Sequence, residues 1–512
     1  VSRGRSGASA AAWSTLFVVC IVSMLIGLNT STVNVALPSL TRHFDASQVE
    51  ASWLLLSYMV ANTACLLLFG RISDIVNQRL LYLGALAVFV LASLACGLAP
   101  SVDWLIGLRI LAALAGAVLL GNGATLIHAA FPRTSLGTAM GLYAASFPVA
   151  TLAGPIAAGV VLEIADWRWV FWLNVPIGLV GLIFGCFLLR RRRAERPPTS
   201  LDLPGNLLVV AFISLATIGI SMVAELGWAN PFVYGSLLGA ALVLPLLALA
   251  ERRSKDPVVD MATLRTGGIG LLLLAGFFLS AGRFPAIVLV SLFLQGPMGL
   301  RPFEAAALLL PMPVGSIVGS LCVGWLSRRL NSRQISSAGA VVGQLGIGVL
   351  TAAMIAGHEG VLVVGLVLMG GGTGLFIGSN ATSLLEATQE SSLGVVNGMR
   401  LAMQSTGNVL SLALAFTLLT VGMSTQLGQD VLQATLPDGD PPTAVIVGFG
   451  LAMGLLCIVG LVGTVLSLMA TARARGLEPH PTSPTIHGDV ENPLAQQTSE
   501  GTPPDHARRQ PP

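Results

Sequence analysis

The chain has 512 residues, 54% hydrophobic and 10% charged, with a mean hydropathy of +0.81 and a formal net charge of +3. A soluble protein of this length could not keep so much apolar side chain from water, so lipid is its main solvent. The small positive balance does not indicate a nucleic-acid partner, and six cysteines without metal-ligand spacing exclude a zinc site or a disulfide framework.

A bilayer-spanning helix needs about 20 mostly apolar residues. Fourteen such stretches follow one another, at 13–37, 51–69, 80–99, 102–131, 138–162, 170–189, 206–224, 231–250, 268–294, 303–326, 335–356, 361–385, 394–421 and 443–470. The first follows Arg3 and Arg5 and is too long for a signal-peptide core, so it reads as a retained helix. An even count puts both termini on one side. Lysine and arginine choose that side: nineteen lie in one set of loops and segments, against Arg42, Arg168 and Arg301 in the other. The positive-inside rule then makes both termini cytoplasmic. The predicted organisation is a cytoplasmic N-terminus (1–12), a six-helix half (13–189), and a basic loop with two inserted helices and a connecting segment (190–267). A second six-helix half (268–470) and a tail (471–512) follow. The tail is rich in Pro, Ser, Thr, His and Gln and is predicted to be disordered.

A ten-residue pattern occurs twice. Gly70 to Arg79 reads GRISDIVNQR and Gly324 to Arg333 reads GWLSRRLNSR, with Gly, Ser, Asn and Arg at the same offsets. Each copy follows the second helix of a six-helix set. This predicts a duplicated half, and parallel repeats of six helices describe one major transporter architecture.

Charge inside a membrane is costly and usually functional. Three arginines lie within spans: Arg109, Arg283 and Arg400. Arg283 is too deep to reach a surface, whereas Arg400, near the start of its span, is expected to snorkel. Asn29, Asn34 and Gln404 are the other polar candidates near the midplane, with Gln295 toward an outer end. Tyr58 and Trp53 read as interface anchors. Glu50, Glu163, Glu225 and Glu386 all lie near span ends, and no acid lies deep. In the fifth span, Ala150, Gly154, Pro155, Ala158 and Gly159 predict close helix approach and a bend. No Ser/His/Asp set, metal-ligand cluster or phosphate loop stands out; the lone lysine, Lys255, sits in RRSKDP. An enzyme and a metal site are therefore not expected.

GRISDIVNQR resembles the loop signature of the major facilitator superfamily. Gly70, Asp74 and Arg79 match it, while Ile75, Asn77 and Gln78 depart. DWRWVFWLNVPIG (Asp166 to Gly178), LNTSTVNVALPSL in the first span and LFLQGPMGLRPFEAAALLLP (Leu292 to Pro311) resemble the fourteen-helix drug:proton antiporter branch, of multidrug efflux type. The resemblance implies an all-α polytopic major facilitator fold, with two six-helix halves and two inserted helices. It implies a gating loop carried by Gly70, Asp74, Arg79, Gly324 and Arg333, and an antiporter motif at Gly154, Pro155 and Gly159. It also implies proton coupling at Arg109, although Ala112 and Ala113 replace the Gln and Gly of the branch.

One departure bears on mechanism. The branch carries an aspartate where this chain has Asn29. If a proton gradient drives transport, a peripheral acid such as Glu50, Glu225 or Asp74 must titrate instead. The expectation is a secondary exporter of small organic molecules, working as a monomer in a bacterial cytoplasmic membrane. It should accept neutral or anionic compounds over cationic ones, with no nucleic-acid partner and no cofactor beyond the gradient. The alternatives are export of an endogenous metabolite or a lipid, or a partner-dependent, transporter-like protein without proton antiport.

Overall fold

A computed structural model describes residues 9–46, 48–189, 203–222, 230–253, 268–300, 302–356, 359–389, 392–420, 423–424, 427, 431 and 442–475. Among them, twelve helical spans are long and apolar enough to cross a membrane, and two shorter apolar helices lie at 204–220 and 231–247. The first set comprises α1 (Ala10–Phe44), α2 (Gln48–Ile75), α3 (Gln78–Cys96), α4 (Val102–Ala130), α5 (Arg133–Ile164), and a sixth span divided into α6 (Arg168–Trp172) and α7 (Asn174–Leu188). Next come α8 (Leu203–Ser221) and α9 (Pro231–Arg253). The second set comprises α10 (Ile269–Gln295), a divided span α11 (Pro302–Leu309) and α12 (Pro311–Leu326), then α13 (Ser332–Ala356), α14 (Glu359–Ala387), α15 (Leu393–Leu419) and α16 (Thr443–Arg475).

Local chemistry sets the boundaries. Ser9 and Ser101 cap α1 and α4 by accepting from the amides of Ala12 and Trp104. Asn77 is extended (φ −63°), and its side chain caps α3 by accepting from Arg79 and Leu80. The two divided spans break where proline removes an amide donor: Pro176 cannot bond the Trp172 carbonyl, and Pro311 cannot bond that of Ala307.

The two sets pack by the same plan. In the first, α1 meets α5 and α7, and α4 meets α2 and α3; in the second, α10 meets α15 and α16, and α14 meets α12 and α13. The second set has an apolar core of its own, the core of the first set runs on into Ala381 and Leu385 of α14 and Leu393 of α15, and large apolar side chains such as Phe187 and Trp325 remain on the outer, lipid-facing surface. The sets meet along two seams related by the same pseudo-two-fold: α2 against α15, and α5 against α12. The inserted helices α8 and α9 pair with each other, and α8 also lies on α2 and α15. Its Val209 and Ile213 join Cys65 of α2 and Val395 of α15 in one buried cluster, so the first seam is covered and the duplication is asymmetric.

Candidate functional site

The polar chemistry between the halves is concentrated at the end that carries Arg71, Arg79, Arg133, Arg328 and Arg329. Here Gly70 and Asp74 lie in the last turns of α2, and Gly324 lies in α12, not in the loops the sequence pattern predicted. Asp74 reaches the first turn of α15, where Oδ1 accepts from the Gly394 amide (2.8 Å) and Oδ2 from the Val395 amide (3.0 Å). Ser392, at the N-cap of α15, makes no side-chain cap, so a carboxylate from the other half satisfies these amides and meets the positive end of the helix dipole. Backbone contact brings the carboxylate within reach. A Cβ on Gly70 would sit 2.4 Å from the Gly394 oxygen, and one on Gly394 would sit 2.3 Å from the Gly70 oxygen.

The second seam repeats this packing. Gly141 of α5 lies against the Ser320 carbonyl as Gly398 of α15 lies against that of Leu66. Ser327 bonds the Gly324 carbonyl (3.0 Å) and faces Gly137, as Ser73 bonds that of Gly70 (2.7 Å) and faces Gly394. The two glycine pairs on α5 and α15 were missed in the sequence, although LGTAMG (136–141) and LGVVNG (393–398) carry the same Leu-Gly-x-x-x-Gly spacing. Arg79 and Arg333 bond within their own halves: Arg79 donates to the Cys186 carbonyl of α7, and Arg333 to the Ala470 carbonyl of α16 (3.5 Å). Each fastens the third helix of its half to the sixth.

Farther along α4, Arg109 is buried over the Tyr58 ring, 5.3 Å from its centroid, and its Nε has no hydrogen-bond partner among the described residues. Tyr58 is thus an interior residue beside this arginine rather than an interface anchor. Asn29, where the branch carries its acid, accepts from Asn174 Nδ2 (3.1 Å), forming a neutral buried pair. Asn34 lies apart from that pair on an exposed face of α1.

In the second half, Arg283 donates to the Gly339 carbonyl of α13 (3.2 Å) and lies 5.1 Å from the Phe376 ring centroid. Its partners therefore lie on neighbouring helices. Gln404 Nε2 and Asn380 Oδ1 are buried near Gly276 without hydrogen bonds. Gln295 bonds Ser291 one turn earlier. Arg400 does not snorkel: it is 4% exposed and held by Asn397. Glu50 is half-buried in the first turn of α2, and Glu225 lies outside the described residues. Among the described residues no Asp or Glu is buried, and no cluster of His, Cys, Asp or Glu is arranged for a metal.

Two substitution results follow from these contacts. A Cβ on Gly154 would fall 1.8 Å from Ser31 Oγ, whereas one on Gly159 would meet nothing within 4 Å. Gly154→Leu is expected to cost about 1–3 kcal/mol by overpacking α1 against α5, and Gly159→Leu close to nothing. Thermal denaturation in detergent separates the two. For Arg283, relief of a buried charge offsets the lost contacts, so Arg283→Met is expected to change stability by about 1 kcal/mol or less. Loss of transport in a stable Arg283→Met protein would place this residue in the substrate path.

Two pseudo-symmetric six-helix halves that close on each other at one end define a membrane transporter, not an enzyme. Residues 19–412 match the Major Facilitator Superfamily, and the chain belongs to that family. It is 28% identical to the tetracenomycin C resistance and export protein of Streptomyces glaucescens, over 86% of this chain and 82% of that one. It is 32% identical to a cephamycin export protein of Amycolatopsis lactamdurans, over 67% and 71% of the two chains. In structure it is similar to the human organic anion transporter MFSD10, with a TM-score of 0.64, 12% identity, and coverage of 89% of this chain and 99% of that one.

Proposed function

We propose that the chain exports small organic molecules by alternating access and that it prefers neutral or anionic compounds to cations. The observation that carries the charge preference is electrostatic. Arg109, Arg283 and Arg400 are buried within spans, and no carboxylate is buried among the described residues. In a medium of low dielectric such a set of charges repels a cation and attracts an anion. The relatives named for antibiotic export support efflux as the direction. The arginine-rich end faces the cytoplasm of a bacterial cell under the positive-inside rule, which puts both termini there. The protein works as a monomer, each chain holding both halves of its path.

The driving force in this reading is the proton gradient. Asn29 and Asn174 hold a neutral pair where the branch has a titrating acid, so a peripheral carboxylate must carry the proton, with Glu50, Glu225 and Asp74 as the candidates. The test uses purified protein in liposomes under an imposed pH gradient, with cationic, neutral and anionic fluorescent compounds compared. Gradient-driven movement of anionic and neutral compounds, abolished by an uncoupler, is the expected result. Robust movement of a quaternary ammonium dye with none of the anions would overturn the charge preference.

A further inference from the structure

Behind the glycine contacts of the first seam, Asn397 of α15 holds two groups at once. Its Nδ2 donates across the seam to the Gly121 carbonyl of α4 (2.6 Å). Its Oδ1 accepts from Nε (3.1 Å) and Nη2 (2.9 Å) of Arg400. Both residues are buried, and Arg400 has no carboxylate partner among the described residues. A neutral amide oxygen is therefore covering the guanidinium edge that a carboxylate grips best, with two parallel, charge-assisted hydrogen bonds.

The fold itself does not require this arrangement. Under the pseudo-two-fold, Asn397 corresponds to Met140, Arg400 to Tyr143 and Gly121 to Gly378. The second seam closes there by backbone packing, with the Met140 carbonyl 3.0 Å from the Cβ position of Gly378. The amide and the guanidinium are additions to a junction that seals without them.

We propose that Arg400 receives the acidic group of an organic anion when the arginine-rich end is open, and that Asn397 replaces that group as the end closes. The proposal rests on the charge preference given above and assigns it a receptor. The two partners of the Nε–Nη2 edge exclude each other. An anion seated on Arg400 keeps Asn397 from its closed position and so weakens the tie to Gly121. Closing the seam restores that tie and releases the anion from the cytoplasmic anchor. Arg400 is then a binding residue, and Asn397 a positioning residue acting through it.

The test compares Asn397→Ala with Asn397→Asp in the full chain in detergent, using fluorescein as a carboxylate probe and its methyl ester as the control without the carboxylate. Both variants lose the bond to Gly121, but only aspartate fills the guanidinium edge. Asn397→Ala is expected to bind fluorescein several-fold more tightly than the parent protein, and Asn397→Asp roughly tenfold or more weakly than Asn397→Ala. Ester affinity should be similar in the two variants. Equal fluorescein affinity in the two variants, or no binding in Asn397→Ala, would overturn the proposal. Arg400→Gln separates this inference from the charge preference. If fluorescein transport survives in Arg400→Gln with an unchanged half-saturation concentration, the receptor assignment fails and the preference stands. If the parent moves only cations, the preference itself fails.

Discussion

Gly394→Leu should yield a folded protein that cannot close its arginine-rich end. In the closed seam a Cβ at this position would lie 2.3 Å from both the Gly70 oxygen and Ser73 Oγ, and 2.7 Å from Asp74 Oδ1. Backbone atoms cannot yield as the tip of a flexible side chain can, so α2 and α15 must separate. The three atoms nearest that Cβ all belong to α2 of the other half, so the cost is expected to fall on the closed conformation rather than on folding. A penalty of about 3 kcal/mol on the closed state would move a balanced equilibrium roughly 150-fold toward the open one. Spin labels at Val76, exposed on the turn after α2, and Leu330, exposed on the turn after α12, report the separation. The expected result is one long distance in Gly394→Leu and loss of nearly all transport. A short distance like that of the parent would contradict the seam geometry.

Asp74→Asn should weaken the same seam through charge rather than size. The two amides at the start of α15 now meet a carboxylate in both positions, and an asparagine can offer only one acceptor, with its amide group turned toward the remaining N–H. Hydrogen bonds to charged groups are worth about 1.5–3 kcal/mol, and charge at a helix N-terminus about 0.3–1 kcal/mol. A shift of roughly ten- to a hundredfold toward the open end is expected, read as a two-population distance distribution with reduced transport. The reverse change in the second seam, Arg328→Asp, should create no matching latch. Gly394 is the second residue of α15, where amides have no intrahelical partner, whereas Gly137 is the fifth residue of α5, where the helix already uses its amide.

That difference of three residues in helix register explains much of what the sequence revealed and what it concealed. The spans were legible because each is a long apolar run, and the repeat because Gly, Ser, Asn and Arg recur at fixed offsets. The partners of those residues were not legible. Nothing near Asp74 in the chain points to Gly394, 320 residues away, because the contact forms between the halves. Arg79 looked like part of a gate because it belongs to the motif, yet it binds the end of α7. Arg400 looked able to snorkel because it lies near the start of its span, but it is buried and held by Asn397, which is itself tied to α4. The glycine pairs on α5 and α15 are visible once the two halves are aligned by their helix pairing; short glycine spacings are too common to stand out otherwise.

The central claim is that this end opens and closes during transport, and a reversible cross-link tests it most directly. A Cβ on Gly324 would lie 3.0 Å from Thr138 Oγ1 and 3.2 Å from its Cα, so Thr138→Cys with Gly324→Cys places two thiols face to face across the second seam. The six native cysteines are all free and would first be replaced. In proteoliposomes the oxidised double variant should carry no substrate and regain transport on reduction, while each single variant stays active under both conditions. Full transport with the cross-link demonstrably intact would contradict alternating access through this seam.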